Sequence, residues 1–345
     1  MRRRAAVLAL TALLLAACGA RPSSAPPPDT QAGPSGSTSA PVQVAVGSDP
    51  YVHLARALHT RGVDVWFEAD LVSAWLAGPA TFERVVRRLG TLAQVPGVVG
   101  FKIADELGYH DGIESPEQGL AFLAAAHRAL QRVAPRAQVL VDVVVPELGC
   151  LPWYDVAGLD CAARARAAAP AATVGALTRY LHTGWIDRLD LSTGLLDPTA
   201  YAARGLTLAE AQRATWVQAH RLGWAALTTL QARKALAQPG GFQGTAAEAT
   251  SDLDVYVDVA TASGARAVDI WTWRQPYEGA TVSLLAPSLA PNPLWEGLTR
   301  LREDGTALLT HMTPSQMPTD GAAFAHECDL AASVFTGVFV AAGTG

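Results

Sequence analysis

Cysteine is scarce: four residues in a chain of 345 are too few to build a disulfide scaffold. Charge is also thin, at 17% of residues, while half the chain is hydrophobic. That balance excludes a disordered chain, whose signature is high charge density with few apolar side chains. There is no excess of positive charge. Lys and Arg number 26 against 31 Asp and Glu, a net charge of -5, so the clustered basic surface that nucleic acid requires is not expected. No HExxH or paired CxxC is present, and the eight histidines are scattered, so no metal site is expected. No glycine-rich dinucleotide fingerprint follows an early strand, and no GxSxG elbow exists. These absences lower the nucleotide-binding and serine-hydrolase options, and no cofactor is expected.

What is present begins at the N-terminus. Arg2, Arg3 and Arg4 precede an apolar run, Ala5 to Ala17, that is too short to span a hydrocarbon core of about 30 Å. It reads as a signal peptide over residues 1–17. The run ends Leu15-Ala16-Ala17-Cys18-Gly19, which resembles the lipobox of bacterial lipoproteins. The resemblance implies cleavage before Cys18 and lipid attachment to its sulfur. Residues 18–41 then hold the lipidated cysteine and a stretch rich in Pro, Ser and Gly, the composition of a flexible tether. Together these place the chain on the extracytoplasmic face of a membrane, held by a lipid anchor. No later stretch is long and apolar enough for a transmembrane helix.

From residue 42 onward, strand-length apolar runs alternate with helical patterns. The runs are 42–46, 63–70, 97–106, 138–145, 186–192, 224–231 and 265–273. Between them, Thr81 to Ala93 carries Phe82, Val85, Val86 and Leu89 on one face. Ser115 with Gln118, Thr207 with Glu210 and Thr245 with Glu248 have the spacing of helix N-caps. Alternating β and α over this length means βαβ units and a parallel sheet.

Side-chain parity selects the kind of sheet, because successive residues of a strand face opposite sides. Val139, Val141 and Val143 oppose Asp142; Val268 and Ile270 oppose Asp269 and Trp271; Val65 and Phe67 oppose Trp66 and Glu68. One face is apolar and the other holds charges and tryptophans. A doubly wound sheet would be apolar on both faces. The pattern predicts an α/β fold, a single (β/α)8 TIM-like barrel over 42–310, with helices outside and polar groups converging inside. An eighth strand is expected in 150–184, at 281–285 or at 306–309, and residues 311–345 are read as a tail packing on the barrel.

Chemistry in such barrels sits at the carboxyl ends of the strands. Lys102, Ala104 and Glu106 form an inward column, with Asp142 facing Lys102 from the next strand and Asp105 turned outward. Glu106 is the expected acid/base, with Glu147 or Asp190 as its catalytic partner. Glu68, Tyr109, His110, Gln231, Trp271 and Trp273 are the expected substrate contacts, the two tryptophans sharing a face. Trp66 lies deeper, in the core.

The combination of an inward glutamate in Phe101-Lys102-Ile103-Ala104-Asp105-Glu106 and tryptophans in Asp269-Ile270-Trp271-Thr272-Trp273 resembles the (β/α)8 glycoside hydrolases. With 265–273 as strand eight, counting back puts 97–106 at strand four, where that resemblance implies an acid/base glutamate. The implied function is hydrolysis of a glycan by carboxylate acid/base catalysis. The retaining families carry a second glutamate at strand seven, where this chain has Gln231. A non-catalytic carbohydrate-binding lipoprotein on the same barrel is therefore the alternative. The expected partners are a glycan or another small polar substrate and the membrane through the anchor, with no nucleic acid, and the chain is read as a monomer. With Cys18 lipidated, Cys150 and Cys161 lie close enough in sequence to pair; pairing of either with Cys328 is also open.

Overall fold

A computed structural model describes residues 49–341. The expected signal peptide, lipidated Cys18 and tether, and the strand expected at 42–46, lie outside the described residues. Ten strands form one sheet: β1 (Asp64–Glu68), β2 (Val98–Lys102), β3 (Gln138–Val144), β4 (Arg188–Ser192), β5 (Thr229–Ala235), β6 (Gln238–Pro239), β7 (Val268–Tyr277), β8 (Ala280–Ser283), β9 (Leu308–Met312) and β10 (Gly337–Val340). Eight are parallel and close on themselves in the order β1-β2-β3-β4-β5-β7-β9-β10, with β10 paired back to β1. This is the TIM-like barrel that the parity predicts. The short β6 and β8 run antiparallel beside the end of β7 and are not part of the ring.

The alternation of side chains builds two separate hydrophobic groups. Val65, Phe67, Val139, Val141, Val143, Leu189, Val268, Ile270, Val338 and Val340 point outward and share the main core with the helices. Trp66, Leu140, Ala267, Leu309 and Phe339 point inward and fill the lower barrel. Gly100 sits where a side chain has no room: a Cβ there would lie 2.4 Å from both the Trp66 ring and the Gln138 carbonyl oxygen. The indole thus occupies the space of a missing β2 side chain, and the Arg188 guanidinium lies 4.9 Å from that ring.

The helices start where the sequence marks them. Ser115 accepts the Gln118 amide at the head of Pro116–Val133, and both Thr207–Glu210 and Thr245–Glu248 form complete capping boxes. Cys150 and Cys161 are joined in a disulfide with Cα atoms 5.5 Å apart, and Cys328 is a buried free thiol. Among the described residues no helix is long and apolar enough to cross a membrane.

Three expectations change. The run 224–231 is not a strand throughout. Gly223, with φ 74°, ends the helix Leu208–Arg221, and Trp224–Leu227 forms one further helical turn whose indole donates to the Thr178 hydroxyl at 3.0 Å. The strand itself continues past Gln231 to Ala235. The barrel also does not stop at 310. β9 and β10 are its seventh and eighth strands, so the residues read as a packing tail close the ring. β9 was legible only as the short run 306–309, and β10 was hidden in a continuous apolar stretch. Finally, 265–273 is strand six and 97–106 is strand two.

Candidate active site

The carboxyl ends of the barrel strands carry a connected set of charged side chains above the lower hydrophobic plug. Lys102 is fully buried. Its Nζ lies 2.9 Å from Asp105 Oδ1, 3.1 Å from Asp142 Oδ2 and 3.5 Å from Glu68 Oε2. The pairing of Lys102 with Asp142 is the one that parity predicts. Asp105 departs from expectation: it turns toward Lys102 rather than outward, because the strand ends at Lys102 and alternation no longer governs it.

A second cation enters from β5. Arg233 Nη1 contacts Asp142 Oδ2 at 2.6 Å and Glu106 Oε1 at 3.2 Å. Glu106 adopts φ 55°, a left-handed conformation at a non-glycine residue. Its carboxylate reaches both Arg233 and solvent, with 28% of the side chain exposed. The third cation is His311 on β9. Its Nδ1 lies 2.8 Å from Glu68 Oε2 and its Nε2 2.8 Å from Asp269 Oδ2. Glu68 is 23% exposed, so the His311 link also ends at the rim.

The electrostatics follow from burial and these contacts. Burial alone would depress His311, but the Asp269 and Glu68 carboxylates outweigh it and hold the imidazole up at about 9. Burial would raise Asp269, yet His311 brings it down to about 2. Burial would raise Glu68 too, and Lys102 with His311 keeps it below its ordinary value. Lys102 and Arg233 resist the depression that burial imposes and lie well above their ordinary values, because carboxylates surround them. Asp142 is pulled both ways. Burial pushes it up to about 7, against the two cations that touch it. Contacts of 2.6 Å to Arg233 and 3.1 Å to Lys102 oppose that rise. Asp190 has no such cation. Burial, then the Asp269 and Asp142 charges, raise it well above its ordinary value. Five carboxylates therefore face three cations, and the mouth is net negative.

The inner wall of this set is polar. Asp142 on β3, Asp190 on β4 and Gln231 on β5 are register neighbours, all fully buried. Asp190 meets Asp269 carboxyl to carboxyl, while both polar atoms of Gln231 have no hydrogen-bond partner among the described residues. Buried polar groups are ordinarily satisfied, so such a group calls for a hydrogen-bonding guest. Above Asp269 on the same strand stands Trp271, half-buried, its ring 5.2 Å edge-on from Tyr277.

Of the residues expected from sequence, Glu68, Glu106, Asp190 and Gln231 come together here. Tyr109 and His110 pack on each other, ring centres 4.1 Å apart, in the loop after β2. Glu147 is not part of the set. Its Oε1 accepts the Val174 amide at 2.8 Å and its Oε2 accepts from Arg166 at 3.4 Å, so it fastens a helix start. Trp273 is not on the Trp271 face. The register of β7 against β9 jumps between Ile270 and Arg274, which breaks the alternation. Trp273 is buried instead against Trp295, its Nε1 donating to Glu327 Oε2 at 2.8 Å. Arg233, placed on the rim without a role, joins the charged set together with Asp269 and His311, which were given no place in the site. Asp269 was on the inward face; Arg233 lay just past an assumed strand end; His311 lay in the assumed tail.

No family model and no curated protein matches the chain. Among solved structures, it is similar to the carboxyl transferase domain of Rhizobium etli pyruvate carboxylase with pyruvate and biocytin, at 15% identity and TM-score 0.45, covering 85% of this chain and 42% of that one. The same domain without those ligands gives 14% identity and TM-score 0.43, covering 90% and 45%. The complete multifunctional pyruvate carboxylase of that organism gives 15% and 0.44, covering 86% of this chain and 25% of that one. The chain thus spans less than half of each.

Glycoside hydrolysis is withdrawn, and with it the carbohydrate-binding alternative. The inward glutamate follows strand two rather than strand four, and Trp273 is part of the outer wall, so the paired indole platform does not exist.

Proposed function

We propose that the carboxyl end of the barrel is an active site for proton-transfer chemistry on a small polar molecule, in a protein exported and held to a membrane through Cys18. The observation that carries it is the unbroken line of contacts from the rim to the lumen. It runs from Glu106 through Arg233, Asp142, Lys102, Glu68 and His311 to Asp269, beside the unpaired Gln231. Glu106 and Glu68 reach solvent and are the groups that meet a substrate. Lys102, Arg233 and His311 supply fixed positive charge for negative charge that develops in the reaction. The charged His311 is a proton donor, and the neighbouring carboxylates are acceptors. Asp269 orients the imidazole. Export is supported by the Cys150–Cys161 disulfide, since such bonds persist in oxidising compartments.

The test is a thermal-shift screen of small polar metabolites, followed by mass spectrometry of each stabilising compound after incubation with the protein. Stabilisation should be weakened in Glu106→Gln and in Glu68→Gln, and at least one bound compound should be converted. Hits that survive both substitutions, or that are never converted, overturn the reading.

A further inference from the structure

Asp190 has no part in the line of contacts that carries the proposed function, yet it lies beside it. It is fully buried on β4, with Asp142 of β3 and Gln231 of β5 as its register neighbours. No N–H or hydroxyl group of the described residues donates to either of its oxygens. Its hydrogen bond is with the carboxyl of Asp269 on β7. Asp269 in turn holds His311 Nε2 at 2.8 Å through Oδ2, and His311 Nδ1 lies 2.8 Å from Glu68 Oε2. The four side chains form one row from the lumen to the rim.

Two buried carboxyl groups in contact cannot both be ionised unless a cation bridges them. The mouth holds a bridged pair for comparison. Asp105 and Asp142 also meet carboxyl to carboxyl, but Lys102 Nζ lies 2.9 Å from one and 3.1 Å from the other. Arg233 Nη1 lies a further 2.6 Å from Asp142. No cation bridges Asp190 and Asp269 in this way. His311 contacts Asp269 and Glu68, while Lys102, Arg233 and Arg188 act on Asp190 only from a distance. The proton of the pair therefore belongs on Asp190, the member without a cation, and its O–H donates to Asp269. Burial, then the Asp269 and Asp142 charges, act on Asp190 in the same direction.

We infer that Asp190 is a positioning residue: it keeps its own proton, donates it to Asp269, and thereby sets how readily His311 gives a proton toward the rim. A carboxylate that accepts an O–H is a weaker base than a bare one. Asp269 so engaged still holds the Nε2 proton of His311 in place but pairs less strongly with the imidazolium. The Nδ1 proton then passes more readily to Glu68 Oε2. The electron pair stays on Nδ1, the neutral imidazole keeps its Nε2 proton, and the proton returns by the same path. That use rests on the proton-transfer reading of the mouth. The charge on Asp190 is measured without a substrate, so a failed conversion screen does not move it.

The experiment is infrared spectroscopy and histidine NMR of the full chain. At about pH 8, where ordinary aspartates are ionised, the unaltered protein should show the carbonyl stretch of a carboxylic acid that moves when aspartate is labelled with heavy carbon. Asp190→Asn should lose that band and Asp142→Asn should keep it. The His311 resonance, identified by its absence in His311→Gln, should titrate in Asp190→Asn as it does in the unaltered protein, since the amide still donates and no charge has been removed. In Asp190→Leu, which cannot donate, the midpoint should rise by about half a pH unit or more. Absence of an aspartic acid band, or a band that survives Asp190→Asn, overturns the inference. So does a His311 midpoint that falls in Asp190→Asn, because a negative charge would then have been lost. An unchanged or lower midpoint in Asp190→Leu overturns the tuning of His311. The band of the unaltered chain needs no variant, so the inference stays exposed even if Asp190→Leu does not fold.

Discussion

Arg233 Nη1 lies 2.6 Å from Asp142 Oδ2, joining the fifth strand to the third across the barrel interior. The same nitrogen contacts Glu106 at 3.2 Å. One guanidinium therefore ties a buried carboxylate to a rim carboxylate, and the stability and reactivity of the mouth depend on it together.

Arg233→Met should be strongly destabilising. It leaves Asp142 fully buried with Lys102 as its remaining cation, and losing one member of a buried ion pair costs about 3–5 kcal/mol. Urea denaturation of the variant checks this. Adding Asp142→Asn should recover part of the loss, because the uncompensated charge is then gone.

His311 predicts a pH dependence with a definite sign. Its value in the folded protein is about 9 against an ordinary 6.5. The folded state therefore binds a proton more tightly, and the stabilisation is complete below about pH 6.5 and lost as pH rises from there through about 9. The full contribution is on the order of 3 kcal/mol. Denaturation midpoints of the protein and of His311→Gln should differ most at pH 6 and converge near pH 10. A difference that grows with pH contradicts the arrangement.

The two tryptophans of β7 should separate cleanly. Trp273→Phe removes the donor to the buried Glu327, leaving it with Arg274 at 3.0 Å, and should cost about 1–3 kcal/mol without changing ligand response. Trp271→Ala, at the mouth, should leave stability nearly intact and weaken any ligand found by thermal shift. Parallel denaturation and binding curves for both variants decide it.

Breaking the disulfide should act locally. Cys150→Ala/Cys161→Ala opens a loop with a sequence separation of 11, worth about 2–3 kcal/mol in chain entropy. Hydrogen exchange should rise at residues 150–168 while the barrel strands stay protected.

The barrel was legible because parity survives in single strands. Asp142 among valines, or Asp269 beside Ile270, announces a lumen even without a partner strand. The Lys102–Asp142 pair was legible for the same reason. What failed was counting. A helical turn at Trp224–Leu227 looked like strand, because Trp, Ala and Leu are apolar in either state. β10 lies in an apolar stretch after a helix, and because Gly337–Val340 is buried in full, no alternation marks it. That miscount hid His311 and moved Glu106 two strands along the ring. Trp273 was misplaced by the register jump after Ile270, which only the pairing with β9 reveals.

Because β10 is the neighbour of β1, the earliest and latest strands of the described barrel close the ring by pairing with each other. A chain cut before residue 337 would leave β1 and β9 as two bare, hydrogen-bond-hungry edges. Such a fragment should associate through those edges rather than circulate as a smaller working domain. A circular permutant that fuses the ends of the ring and opens another loop would keep every rung of the ladder.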